Sequence, residues 1–292
     1  MNYHSRNQDL NNWLLKIITG AQTFMTHRQP HGPQFLSVGN VISAGIRIYR
    51  DHFQLYFLEI LKGYLWALIP VYGWAKFMAI QGMISRLGFY EITEKPESLP
   101  EARLRVKPRL WSFLLTGLFT GFIFLGFILV VAIAIGILTG ITLVTSQTNS
   151  PIPLITTLLI VLVSLVSLFA YVWLYSRLAF AEVAIAVELV NEPVRAIRRS
   201  WQLTEGYVIK LQTIYFVAFL ITLPTAIIGN LGTLILGEES PAAPFVDLAL
   251  SILVGAFIAP FWQSIKAVIF YDLKVRKEGL DLLDTTPEDS LE

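Results

Sequence analysis

Along most of this chain the hydrophobic residues do not alternate with polar ones. They come in blocks, which begin near Phe53, Trp74, Leu110, Leu154, Val208 and Phe245. Such long apolar runs read as helices rather than strands. Six of them, set between polar segments, predict an all-α fold: a polytopic transmembrane helix bundle of about six spans. The expected spans are 53–68, 74–90, 110–145, 154–177, 208–236 and 245–271. The first two are short and hold Glu59, Lys62, Lys76, Gln81 and Arg86, whereas a span needs about 20 apolar residues. They read either as two crossings or as a shallow, re-entrant hairpin closed by a turn at 70–73. The fourth block stays apolar past Arg177 to Val190. A continuous helix over 154–190 would exceed about 50 Å at 1.5 Å per residue, so the part after Arg177 must lie along the interface, project from it or bend. Pro224 and Pro260 predict kinks in the fifth and sixth spans.

Two polar segments carry a helical period. In 37–52, Val41, Ile42, Gly45, Ile48, Tyr49 and His52 share one face, and Asn40, Ser43, Arg47, Arg50 and Asp51 share the other. In 193–204, Val194, Ile197 and Trp201 form a stripe flanked by Arg195, Arg198 and Arg199, with Asn191 as N-cap and Gly206 as stop. Both are expected to be cytoplasmic interfacial helices, with apolar residues in the headgroup layer and arginines on lipid phosphates. Plain topological anchoring, with no specific lipid, is the other reading. Arg103 and Arg105 join this candidate headgroup set from the charged loop at 94–109. Residues 1–36 are expected to be a polar tail without a secretory signal pattern. Within it, Leu10, Trp13, Leu14, Ile17 and Ile18 have the spacing of a short amphipathic helix, or belong to a partly ordered segment. Residues 278–292 carry six acidic side chains and no cation, the composition of a disordered tail. The membrane domain is then 37–277.

The ends of the even-numbered spans resemble one another. They read Ser85-Arg86-Leu-Gly-Phe89-Tyr-Glu91, then Ser176-Arg177-Leu-Ala-Phe180-Ala-Glu182, then Lys266-Ala-Val-Ile-Phe270-Tyr-Asp272. Each has a cation, a phenylalanine, one residue and a carboxylate. A basic segment precedes each odd-numbered span, so the pattern predicts three helix-pair repeats. In the first two copies the cation and the acid are five apart, about 140° round a helix. They would reach other helices or snorkel to water and headgroups. Glu59 and Lys62, three apart, either pair on one face or both sit at the surface of an extended interfacial helix. With Glu188 these residues make up the candidate intramembrane polar set: Glu59, Lys62, Arg86, Glu91, Arg177, Glu182, Glu188, Lys266 and Asp272.

Composition agrees with a membrane bundle. Of 292 residues, 54% are hydrophobic and 15% charged, against about 25% charged in soluble domains. The net charge of +1 gives no nucleic-acid character, and the lipid bilayer is the expected partner. The absence of cysteine excludes disulfides and thiolate chemistry. Lys and Arg gather before 52, at 91–109, at 177–210 and after 266, while the turns at 146–153 and 237–244 hold none. This bias predicts a multi-pass protein with both termini in the cytoplasm.

No catalytic, cofactor-binding or metal-binding residue is expected. His4, His27, His31 and His52 lack ligand spacing, and neither a phosphate loop nor a nucleophile elbow occurs. Three functions remain. The first is a non-enzymatic scaffold or accessory module with a membrane or cytoplasmic protein partner. The second is a transporter or lipid-handling protein with a polar cavity lined by Glu59, Lys62, Arg86, Arg177 and Glu182. The third is a membrane enzyme acting on lipid headgroups, which needs Glu182, Glu188 and Asp272 to converge in one cleft.

Three stretches carry a resemblance. Residues 36–53, LSVGNVISAGIRIYRDHF, form the first. Residues 187–206, VELVNEPVRAIRRSWQLTEG, form the second, around Ser200-Trp201-Gln-Leu203-Thr204-Glu-Gly206. Residues 270–282, FYDLKVRKEGLDL, form the third. In this order they resemble the bacterial integral-membrane family named for the membrane domain of glycerophosphoryl diester phosphodiesterase. The resemblance implies a bacterial inner-membrane protein and carries over no catalytic residue. The chain departs from that family in its short, charged first hairpin and its longer N-terminal tail.

Overall fold

The computed structural model describes residues 37–147, 151–229, 231–237 and 239–279. The expected N-terminal tail and nearly all of the acidic C-terminal tail lie outside these residues. The elements are α1 (Val38–Asp51), α2 (Phe53–Ala67), α3 (Tyr72–Ile92), α4 (Leu99–Val106), a 3₁₀ turn at Lys107–Arg109 and α5 (Leu110–Thr145). They continue with α6 (Ile152–Leu178), α7 (Ala181–Val187), α8 (Pro193–Thr204), α9 (Val208–Thr222), α10 (Thr225–Ile228), α11 (Leu231–Leu236) and α12 (Ala243–Glu278). Among the described residues there is no strand, as the block pattern requires.

Local chemistry accounts for the boundaries. The Ser37 side chain accepts the Asn40 amide at 3.2 Å and caps α1. The turn between α2 and α3 falls at Pro70–Gly73 as expected: the Tyr72 N–H donates to the Pro70 carbonyl at 2.7 Å and Gly73 to Ile69 at 3.1 Å. Only glycine fits at 73, because a Cβ there would lie 1.8 Å from the Trp66 carbonyl oxygen. The charged segment read as a loop contains α4. Ser98 and Glu101 form a capping box at its start, each side chain closing on the other's backbone. The α8 helix is capped at Glu192 rather than Asn191. The Asn191 carbonyl instead accepts the Ser112 hydroxyl at 2.5 Å. Gly206, at φ +83°, ends this segment as expected.

The six expected spans are shown only in part. Among the described residues, three helices are long and apolar enough to cross a membrane: Leu99–Thr145, Ile152–Val187 and Ala243–Glu278. A fourth is reached only if α8 and α9, bent by 97°, count as one broken span. The first hairpin fails on length and burial. The α2 helix has 15 residues, and α3 is buried from Gly82 to Phe89. The fifth block fails because Pro224, which has no N–H to give, ends α9 near Thr222 rather than kinking it. Two short helices follow. Pro260 lies inside α12, which runs on to Glu278.

Burial divides the molecule into a packed head and apolar arms. In α5 only Phe113, Leu114 and Thr116 are buried, all near its start, and in α6 Ser176 and Leu178 are buried near its end. In α12 the buried run is Pro260 to Leu273, with two residues, Trp262 and Tyr271, partly open. These ends meet at the head. The antiparallel α5–α6 hairpin leaves it with large apolar side chains exposed, among them Phe122, Val130, Leu154 and Leu165. The apolar stretch after Arg177 is neither interfacial nor projecting. The chain turns at Ala179–Phe180, and α7 is buried over Ala181 and Val183–Val187.

The two expected interfacial helices differ in what their faces meet. The α1 face of Val41, Ile42, Gly45 and Ile48 is buried as its period predicts, but against protein. A Cβ on Gly45 would lie 2.7 Å from Ile265 Cγ1 and 3.3 Å from Ile265 Cα. Replacing Gly45 with valine is therefore expected to push α1 off α12 and cost about 2 kcal/mol. Thermal denaturation in detergent would measure it. In α8 the buried face is Ala196, Ser200, Leu203 and Thr204, while Val194 and Trp201 point outward. Small residues let the backbone approach its neighbours: the Ser200 hydroxyl donates to the Arg177 carbonyl at 2.6 Å and accepts the Phe180 amide at 3.2 Å.

Candidate functional site

The charged side chains of the head sort into separate clusters. Arg86 is the most buried cation, 1% exposed. It does not meet Glu91, five residues on. Its guanidinium donates to Glu97 at 2.5 and 3.2 Å, to the Ala186 carbonyl at 2.6 Å and to the Val187 carbonyl at 3.3 Å. It also lies 4.5 Å from the centre of the Tyr90 ring. Arg86 thus caps α7, where the helix end is negative. Arg105 supplies a second cation to Glu97 at 2.8 Å. Glu91 is exposed and faces His52 at 3.6 Å.

Three further carboxylates are held apart from one another. Glu182 accepts Lys266 at 2.6 Å and Gln263 at 3.1 Å. Glu188 accepts Arg199 at 2.7 Å and pairs with Lys274 at 2.9 Å. Asp272 pairs with Lys210 at 2.7 Å and with Arg276 at 2.9 Å. Burial works against the Glu188 charge, but hydrogen bonds and charges from Arg199 and Lys274 prevail and hold its carboxyl below the ordinary range. That contribution to stability is present above the ordinary glutamate pKa and is lost as pH falls through the lowered value.

The candidate headgroup arginines divide. Arg47, Arg50, Arg195 and Arg198 are exposed, Arg50 beside Asp51 and Arg195 beside Glu192. Arg199 is corrected: it is committed to Glu188 and Glu278 rather than open to lipid. Arg177 donates to the Trp201 carbonyl at 3.0 Å, closing the last turn of α8. It lies over the rings of Trp201 and Trp173 at 4.8 and 5.4 Å.

Two cavities among the described residues lie beside these clusters, and neither is lined by Arg86 or Arg177. The smaller, about 250 Å³, lies among α3, α5, α6, α7 and α12. Gln81, Thr116, Glu182 and Lys266 reach it. Behind the lining residues Gln81 and Glu182 runs a relay: Ser85 donates to Gln263 Oε1 at 2.6 Å, and Gln263 donates to Gln81 at 2.8 Å and to Glu182. The Thr116 hydroxyl is buried without a hydrogen-bond partner.

The larger cavity, about 480 Å³, lies among α2, α3, α4 and the start of α5. Its charged rim holds Lys62, Lys76, Arg103 and Lys107 against one carboxylate, Glu59. Glu59 is buried and accepts Lys62 and Arg103, each at 2.8 Å. Of the two sequence readings for Glu59 and Lys62, the pair is therefore the one formed, and Glu59 does not lie at the surface. Lys76 stands 3.3 Å above the centre of the Trp66 ring. Ile80, Met83, Val106 and Leu110 make the apolar wall. In the sequence Lys76 is only one charge of a short block, and Lys107 lies inside the charged segment 94–109. Their convergence depends on how the α2–α3 hairpin packs beside α4, for which a single sequence carries no local signal. Among the described residues no group of three His, Asp or Glu side chains is placed to hold a metal.

A family profile described as a domain of unknown function (DUF7847) matches residues 66–276. No curated protein and no solved structure matches the chain. Nothing in these comparisons links it to the glycerophosphoryl diester phosphodiesterase membrane family that its sequence resembles.

Proposed function

The chain belongs to the DUF7847 family, of unknown function, and we propose from its own geometry that it is a multi-pass membrane protein that holds an amphiphilic ligand without reacting it. The observation that carries this reading is the larger cavity, where a charged rim adjoins an apolar wall at the start of the exposed helix α5. Binding sites of this size combine apolar lining with a few placed polar groups. In the proposal α5, α6, the bent α8–α9 pair and α12 make four crossings, an even number that leaves the head and both termini on the cytoplasmic side of a bacterial inner membrane. The basic segments support that orientation. The non-catalytic part of the reading is supported by Glu182, Glu188 and Asp272, which are spent on separate cations rather than gathered in one cleft. A scaffold or accessory role is the second reading, favoured by the same ion-paired rigidity of the head. The cavity ranks lipid handling above it.

Purified protein in mild detergent is expected to keep about one amphiphile per chain, seen by native mass spectrometry. Filling the cavity wall with Ile80→Trp should strip it from the folded, monodisperse fraction. Equal and only background lipid on both proteins would overturn the reading.

A further inference from the structure

The electrostatics of the larger cavity go further than its shape. Four cations against one carboxylate leave a local excess of positive charge, in a chain whose net charge is only +1. Three of the four rim cations are parked on a weak or shared partner. Lys62 and Arg103 divide the two oxygens of Glu59 between them. Lys76 rests on the faces of Trp66 and Tyr72, 3.3 and 5.1 Å from the ring centres. A cation on an aromatic face gives up little when a true anion arrives, because a charge-assisted hydrogen bond is the stronger contact. The rim also sits at the Lys107–Arg109 turn, directly before the largely apolar α5 begins. That is the depth at which a lipid headgroup would meet the protein in the proposed topology.

We infer that the Lys62–Lys76–Arg103–Lys107 rim is a binding site for the phosphate of an anionic lipid, with Glu59 acting as the internal competitor that holds two of the four cations when no lipid is bound. This rests on the amphiphile reading and adds the headgroup class. The acyl part would lie along Ile80, Met83 and Leu110. A free phosphate ion shares the headgroup chemistry but makes no use of that wall.

The test uses the full chain in nanodiscs. One set contains phosphatidylcholine with phosphatidylglycerol, a second phosphatidylcholine alone, and a third phosphatidylcholine with inorganic phosphate in solution. The readout is the ratio of anionic to zwitterionic lipid retained after transfer to detergent, with thermal stabilisation as the second measure. Each cation near an anionic headgroup is worth about a factor of five in affinity. The double variant K62Q/K76Q should therefore lower the ratio roughly twenty-five-fold, and Lys277→Gln, exposed near the end of α12 and outside the cavity lining, should leave it unchanged. Glu59→Gln should raise the ratio about fivefold, a gain that misfolding would not produce. If wild type retains one lipid regardless of headgroup charge, the anionic inference fails while the amphiphile reading stands. If inorganic phosphate alone reproduces the stabilisation and no lipid is retained, both are overturned.

Discussion

Replacing Arg86 with methionine is expected to destabilise the protein by about 3–5 kcal/mol, the cost of breaking a buried ion pair from one side. The guanidinium is 1% exposed and holds Glu97, the last carbonyls of α7 and the Tyr90 ring in one construction. Methionine would fill much of the space and satisfy none of these groups. Glu97 would be left with Arg105 as its remaining cation, and the Ala186 carbonyl would lose its donor. Arg86→Lys would keep the charge but not the fork that reaches both Glu97 and α7, so it should recover about half the loss at most. Thermal denaturation in detergent would give the order wild type, then lysine, then methionine. Adding Glu97→Gln to Arg86→Met should restore part of the stability, because the stranded carboxylate is then gone. A methionine variant as stable as wild type would mean that Arg86 is not the tie between α3, α7 and the Glu97 segment.

That site also shows what a single sequence conveys and what it does not. The burial of Arg86 was not legible, because its nearest acid along the chain, Glu91, points to His52. The true partner comes eleven residues on, after the helix has ended. One clue was readable: Ser98-Leu-Pro-Glu101 has the spacing of a capping box, which would have placed a helix in the charged loop and brought Glu97 to its entrance. The face of α1 was legible from its period alone, as were the turn at 70–73 and the stop at Gly206. The span number was not. Apolar blocks in α2 and α3 look like membrane helices, yet a helix buried in protein and one facing lipid are both apolar all round. Length and the charges at Glu59 and Arg86 were the signals that separated them. In α8 the hydrophobic stripe drew attention to the outward face, while the packed face joins Leu203 to Ala196, Ser200 and Thr204, three residues small enough to bring backbones together but weak as a pattern.

The second large effect is expected at Lys266. Its ammonium, 9% exposed as a residue, is seated on Glu182 at 2.6 Å beside the smaller cavity. Lys266→Met should cost about 3 kcal/mol, the low end for a one-sided break of a buried pair, because the Glu182 side chain keeps 25% exposure. The carboxylate would retain only the Gln263 amide, which already serves Gln81. Lys266→Met combined with Glu182→Gln should return most of that loss. A neutral amide can still accept from Gln263, and the desolvation cost of two charges disappears. The cycle therefore separates a structural pair from a functional one. Stability should recover in the double variant. Any ligand or ion that depends on charge in the 250 Å³ cavity would not regain its binding. The unpartnered Thr116 hydroxyl gives the matching structural check, since a polar cavity of this volume has room for ordered water. A structure of the double variant should show that hydroxyl hydrogen-bonded to water. If stability failed to recover when both charges were removed together, Lys266 would owe its place to contacts other than Glu182, and the relay from Ser85 through Gln263 would have to be stabilised in another way.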